Sequence, residues 1–274
     1  MTFTDTTLRR TKIVATLGPS TDDPGELRRV IDSGMDVARV NFSHGDTADH
    51  VRRIESVRET AAAANRFVGV MADLQGPKIR IQRFEDGNVV LKEGAAFTLD
   101  AELAPDAGTV ERIGITYDSL GRDVHAGDIL LLDDGNIVLS VEETSATQVR
   151  CRVMTGGRLS NFKGLNRLGG GLSAAALTAK DREDIQVAAE LEADYIAVSF
   201  IRHADDVFEA RELFKQAGGS GAIVAKIERA EAIENVHQII EAADVVMIAR
   251  GDLGIEIGDA ELPGMQKRII REAR

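Results

Sequence analysis

Val37-Ala38-Arg39-Val40-Asn41-Phe42-Ser43-His44-Gly45 reads as a β-strand that carries chemistry on one face. Successive strand side chains point to opposite sides, so Arg39, Asn41 and Ser43 fall together while Val40 and Phe42 face the other, buried side. A core strand does not align a cation, an amide and a hydroxyl unless that face meets a ligand. Lys226-Ile227-Glu228 repeats the pattern, with two charged residues flanking an apolar one.

Strand–helix alternation surrounds both segments. Residues 12–17 form a short apolar strand ending at Gly18-Pro19, and 24–33 a helix with Leu27, Val30 and Ile31 on one face and Gly34 as its stop. After the 37–43 strand come a helix over about 47–64, striped by Val51, Ile54 and Val57, and an apolar strand over 67–74 broken only by Asp73. Gly169-Gly170-Gly171 marks the return of the same texture. Helices over 179–191, 205–217 and 232–242 then alternate with strands over 195–200, 223–228 and 245–250.

Between these halves, residues 83–168 show no helical pattern. Short β-rich runs at 88–91, 129–132, 137–141 and 148–153 are separated by Asp86-Gly87, Glu93-Gly94, Ala126-Gly127-Asp128 and Asp133-Asp134-Gly135-Asn136. The expected organisation is therefore α/β: a TIM-type (β/α)8 barrel interrupted by an all-β insert that forms a small barrel of its own. Its parts are residues 1–82, the insert 83–168 and the resumed barrel 169–274. Six strand–helix units are present, the final helix from about residue 263 has no stop signal, and an open six-strand arc would expose two strand edges. The chain reads as cut short.

Composition narrows the partners. Formal charge is −12, which excludes nucleic acid and anionic membrane as default partners, though a local basic pocket can still hold phosphate. No apolar run approaches the roughly 18 residues of a membrane span. The opening residues 2–10 lack the apolar core of a secretory signal, and Cys151 is the single cysteine. A cytoplasmic protein without disulfides is the simplest reading.

Barrel chemistry sits at the C-terminal ends of the strands. Those ends carry Arg39, Asn41 and Ser43, then Asp73, then Ser199, then Lys226 and Glu228, and finally Arg250-Gly251-Asp252. Glu228 and Asp252 suit one divalent cation, since Mg2+ is commonly held by one or two carboxylates with water and substrate oxygens. Mn2+ accepts the same ligands. Lys226 shares a face with Glu228 and stays protonated beside two carboxylates. A cation beside a fixed ammonium stabilises a transferring phosphoryl group or an enolate. Gly251-Asp252-Leu253-Gly254 can present backbone N–H groups to an anion.

With these residues in place, the chain resembles the bacterial pyruvate kinases. The resemblance rests on Thr11-Lys12-Ile13-Val14-Ala15-Thr16-Leu17-Gly18-Pro19, the Arg39–Gly45 run, Asp73-Leu74-Gln75-Gly76-Pro77-Lys78-Ile79-Arg80, Ala225-Lys226-Ile227-Glu228 and Ala249-Arg250-Gly251-Asp252-Leu253-Gly254. It implies phosphoryl transfer from phosphoenolpyruvate to ADP, giving pyruvate and ATP, the last step of glycolysis. Arg39 would hold the phosphoryl group, Lys226 would stabilise the transition state, and Glu228 and Asp252 would bind Mg2+ (or Mn2+). The backbone of Gly251 and Asp252 would seat the substrate carboxylate. Asn41, Ser43, His44, Arg80 and Lys163 would serve the nucleotide. The β insert would be the mobile lid, hinged at Gly76-Pro77 and 169–171. The parent enzyme would be a homotetramer.

Potassium-dependent members place K+ against Asn41, Ser43, Asp73 and the carbonyl at position 74. They carry threonine, lysine and glutamate where this chain has Leu74, Gln75 and Lys78. The reversed charge at Lys78 resembles potassium-independent members, in which its ammonium would replace the monovalent ion electrostatically, so K+ is expected to be dispensable. The family also continues with two further strand–helix units, one bearing a threonine motif that completes the substrate site, and a C-terminal domain with effector and tetramer contacts. Little activity is accordingly expected of the 274 residues alone.

Two other readings stand beside this one. Another Mg2+ enzyme of the phosphoenolpyruvate/pyruvate barrel class, such as a lyase, would share the acid pair and the arginine but need neither the β insert nor Lys163. A catalytically inactive fragment is the second. Asp133-Asp134-Gly135 is expected to be a hairpin turn rather than a metal loop. His50, His125, His203 and His237 are expected on the surface or in packing. Residues 169–171 lack the flanking strand and Lys-Ser/Thr pair of a P-loop, which leaves a hinge.

Overall fold

The computed structural model describes residues 9–274, so the opening stretch read above lies largely outside the described residues. β1 (Val14–Leu17), α1 (Pro24–Asp32), β2 (Val37–Asn41), α2 (Thr47–Ala63) and β3 (Gly69–Asp73) come first. The insert contributes β4 (Asn88–Leu91), β5 (Ala96–Asp100), β6 (Arg112–Gly114), a helical turn α3 (Leu120–Asp123), β7 (Ile129–Leu132), β8 (Ile137–Thr144), β9 (Gln148–Thr155), β10 (Gly157–Ser160) and β11 (Leu165–Arg167). The alternation resumes with α4 (Ala179–Glu190), β12 (Tyr195–Val198), α5 (Ala204–Gln216), β13 (Ala222–Ile227), α6 (Ala230–Glu234), α7 (Val236–Ala242), β14 (Val245–Ile248), α8 (Arg250–Ile257) and α9 (Leu262–Ala273).

Several helices begin where a side chain accepts the free N–H groups of the first turn. Asp23 accepts from Gly25 and Glu26, with Pro24 opening α1. Asp46 with Asp49, and Thr178 with Asp181, form reciprocal boxes at α2 and α4.

β1, β2, β3, β12, β13 and β14 make one sheet in that order, all pairs parallel. The insert is bypassed, because β12 pairs directly with β3. Neighbours in sequence are neighbours in space, with helices between them, which is the winding of a (β/α) barrel. β1 and β14 pair on one side only among the described residues, and Val14 and Val245 are exposed.

The two sheet faces differ. On the outer face Val40, Val70, Ala72, Val198, Ala225 and Ile227 pack against helix residues such as Leu27, Ile54, Ile185, Val207 and Phe214. On the inner face Met71, Ala197 and Val224 form an apolar layer, with Val37, Tyr195 and Met247 around them. Two residues further along the same strands, hence on the same face, stand Arg39, Asp73, Ser199 and Lys226. The apolar layer is the floor of a polar one.

In the insert, β11, β7, β8, β9, β5 and β6 form a second sheet, antiparallel except for the β5–β6 pair, and β10 pairs with β4. Phe97, Leu99, Ile113, Leu130, Leu139 and Cys151 lie in its separate core. Asp133 and Asp134 sit at the β7–β8 turn with positive φ, as the hairpin reading requires.

Four local expectations need correction. Ser43 lies past the end of β2, in a turn where the Asn41 amide oxygen accepts its N–H at 3.0 Å, so the alternation extends only to Asn41. The 83–168 stretch does contain one helical turn, α3. The helix expected over 232–242 is two helices, α6 and α7. Asn235 breaks it by donating its side-chain amide to the carbonyls of Arg202 and Glu231. Residues 250–254 are the first turns of α8 rather than a strand end and loop. No helix of the described residues is long and apolar enough to cross a membrane.

Candidate active site

Asp73 is the hub of the polar layer, at the end of β3 and almost fully buried. Arg39 Nε donates to its Oδ2 at 2.6 Å, and a second guanidinium nitrogen meets the same oxygen. Arg39 Nη1 also donates to Thr16 Oγ1 at the end of β1, at 2.8 Å. The arginine is thus fixed from both neighbouring strands. On its other side Asp73 Oδ1 lies 3.0 Å from Lys226 Nζ but off the hydrogen-bond direction, so that contact is ionic.

Lys226 projects from β13 into three acceptors. Its ammonium is 2.9 Å from Glu228 Oε1 and donates to Ser199 Oγ at 2.6 Å, besides the Asp73 contact. The Ser199 hydroxyl in turn donates a hydrogen bond to the Leu74 carbonyl at 2.7 Å. Glu228 Oε2 accepts the Phe200 N–H at 2.7 Å. Phe200 holds a positive φ of 55°, uncommon for an aromatic residue, and this bond fixes it there. Gly76 permits that packing. A Cβ at Gly76, whose φ is +66°, would come within 2.8 Å of the Ser199 Cβ and 2.9 Å of the Phe200 ring.

Burial pulls the Lys226 pKa down, but the charges of Glu228 and Asp73 outweigh it and leave the lysine above its usual value. Burial also pushes Glu228 upward, and the nearby Asp252 charge adds to that rise while Lys226 opposes it. Both values are raised, which favours the charged lysine and disfavours the charged glutamate. Lys226 faces two carboxylates and Glu228 faces one ammonium and one carboxylate, so the protonated lysine gains more, and its charge is the firmer conclusion.

Glu228 therefore sits in a place short of positive charge. A buried carboxylate, a second one close enough to raise its pKa, and hard oxygen donors are what Mg2+ or Mn2+ accepts. No cluster of three or more His, Cys, Asp and Glu side chains suited to a metal occurs among the described residues. Asp252 lies in the first turn of α8 and pairs with Lys78 Nζ at 3.0 Å. Gly251 beside it is exposed, and a Cβ there would meet nothing within 4 Å, so the helix N-terminus is open to an anion.

The other expected residues do not join this cluster by direct contact. Asn41 stands opposite Asp73 in register, but its side chain is engaged with Ser43. His44 is exposed, and its carbonyl bonds His50, which is buried and stacks on Phe42. Arg80 donates to the Phe162 carbonyl at 2.8 Å, and Lys163 pairs with Asp133 at 2.7 Å. Lys78 is held by Asp252 and not by Asp73, whose charge Arg39 and Lys226 already meet. Thr16 was not anticipated, although the strand-end rule applied to β1 finds it. The Phe200 N–H carries no signal in the sequence at all.

The sequence profile of the family described as pyruvate kinase, barrel domain, matches residues 8–274. Pyruvate kinase from Haemophilus influenzae is 53% identical over 270 residues, covering 97% of this chain and 56% of that protein. Pyruvate kinase II from Salmonella typhimurium is 54% identical over the same shares, and pyruvate kinase from Mycobacterium intracellulare is 44% identical over 266 residues. The chain spans 56% of the length of each of these relatives. With that match added to a parallel barrel sheet ending in Arg39, Asp73, Lys226 and Glu228, the chain belongs to the pyruvate kinase family.

Proposed function

We propose that the enzyme containing this chain transfers a phosphoryl group from phosphoenolpyruvate to ADP, giving pyruvate and ATP at the end of glycolysis in the cytoplasm. The observation that carries the reading is the Lys226 ammonium. It is held between Asp73 and Glu228 with the Arg39 guanidinium on the far side of Asp73, at the barrel end where substrates bind.

In this reading Arg39 binds the phosphoryl oxygens and Lys226 neutralises charge as the group moves. Both are fixed before substrate arrives, so little reorganisation is needed in the transition state. Glu228 and Asp252 would hold Mg2+ (or Mn2+), which would supply charge neutralisation when bound. The open N-terminus of α8 at Gly251 and Asp252 seats the substrate carboxylate. Asn41, Ser43, His44, Arg80 and Lys163 serve the nucleotide, the last two from the insert side. The division proposed is a barrel domain over 1–82 and 169–274 with a lid over 83–168, in a homotetrameric parent enzyme.

K+ is proposed to be dispensable. Asp73, the acid of the monovalent-cation set Asn41, Ser43, Asp73 and Leu74, already faces two cationic side chains. The test is a coupled assay of pyruvate formation on the full-length enzyme, with K+ or with Na+ only, alongside Lys226→Met. Comparable rates in both salts and a loss of at least a hundredfold in the variant are expected. Near-normal turnover by Lys226→Met would overturn the assignment of the lysine. Dependence on K+ would overturn the second proposal alone. The 274 residues by themselves are expected to turn over far below the roughly 1–100 per second of complete kinases.

A further inference from the structure

The strap that joins the barrel to the β insert ends on α8. Lys78 lies just beyond Gly76-Pro77, where the chain leaves the barrel, and its Nζ donates to Asp252 Oδ1 at 3.0 Å. The outgoing and returning chains are bonded to each other: Leu165 N–H donates to the Ile79 carbonyl and Ile81 N–H to the Lys163 carbonyl, both at 2.9 Å. The Lys78 stem crosses the returning chain, since a Cβ on Gly164 would lie 3.4 Å from Lys78 Cε. One side chain therefore touches both halves of the strap and terminates on a carboxylate of the candidate cation site.

The electrostatics of that contact are competitive. Glu228 and Asp252 follow the ends of the adjacent strands β13 and β14, so the two acids stand at the same end of the sheet. A divalent ion between them would stand close to the Lys78 ammonium, and like charges repel. An Asp252 oxygen aimed at Lys78 is also not free to turn toward the ion. Resting on the reading of Glu228 and Asp252 as cation ligands, we propose that Lys78 is a built-in competitor for Asp252. Binding of a divalent cation displaces its ammonium and removes that hold of the insert's strap on α8, leaving the bonds of Asn166 and Gly169 to Glu256. Linkage is reciprocal, so the strap's grip weakens the cation by the same factor. Both partners are about one-quarter exposed, which places the pair among modest ion pairs and the factor near about fivefold.

Mn2+ titration of the 274-residue chain, followed by the loss of the free-ion electron paramagnetic signal, tests this directly. Lys78→Met is expected to bind Mn2+ about fivefold more tightly than the natural sequence. Lys78→Arg, which keeps the charge, should stay near it, and Asp252→Asn should bind at least tenfold more weakly. Amide hydrogen exchange over residues 163–166 supplies a second readout. Saturating Mn2+ should accelerate it in the natural sequence, while Lys78→Met should exchange fast with or without the ion. Equal affinity for the natural chain and Lys78→Met, with Asp252→Asn still weak, would overturn the competitor and leave the cation site standing. Affinity indifferent to Asp252→Asn would overturn both. Exchange in the natural chain that ignores Mn2+ would overturn the loss of the strap's hold through Lys78.

Discussion

Arg39 and Lys226 belong to the polar layer of the barrel, and Arg80 and Lys163 to the strap between barrel and insert, yet all four are cations proposed for one reaction. The first two are braced by several groups each, on strands whose register fixes the distances. The second two have local partners only, the Phe162 carbonyl and the Asp133 carboxylate. A barrel strand positions a charge through the sheet itself. A strap positions a charge only as well as the strap is held, so the proposed nucleotide contacts depend on the posture of the insert.

The contrast breaks most readily at Asp73. Asp73→Ala strips a buried acid from between Arg39 and Lys226, and removing one partner of a buried ion pair costs about 3–5 kcal/mol. Urea unfolding followed by circular dichroism should show a loss of that size for the barrel, and a loss below about 1 kcal/mol would mean the network is not load-sharing.

Glu256 tests the junction between the two regions. It is buried on α8, accepts the Ala230 N–H at 2.8 Å, faces Asn166 of β11, and is pushed by burial to a pKa of about 7. The folded state therefore keeps this proton at a pH where the unfolded chain has released it. With the native state binding more protons, stability falls as pH rises from about 4.5 to 7, by about 3 kcal/mol. Glu256→Gln should remove that slope, and parallel stability–pH curves for the two proteins would refute it.

Lys163→Ala sharpens the comparison from the weak end. Its partly exposed pair with Asp133 should matter by less than about 0.5 kcal/mol in a thermal melt. A drop as large as that of Asp73→Ala would erase the distinction between polar layer and strap.

The polar layer was legible because period-two alternation and the strand-end rule are sufficient to place Arg39, Asp73, Lys226 and Glu228 on one face. Ser199 was visible by the same rule, but its bond to the Leu74 carbonyl depends on the β3–β12 pairing across an insert that no local pattern reveals. Helix α8 was missed because Gly251 and Gly254 are poor helix formers and no side chain caps its start. Arg80 and Lys163 were found through family resemblance alone, since a lysine in a loop has no periodicity to read. The Lys78–Asp252 pair joins residues 174 positions apart and lies outside any local inference.

Cys151 has a practical consequence. It is the chain's single thiol, it lies in the insert's core, and burial holds its pKa at about 12. A thiol so protected reacts with an alkylating probe only when that core opens. The rate of labelling is therefore a clock for the insert's breathing, read without any tag and blind to what the barrel does.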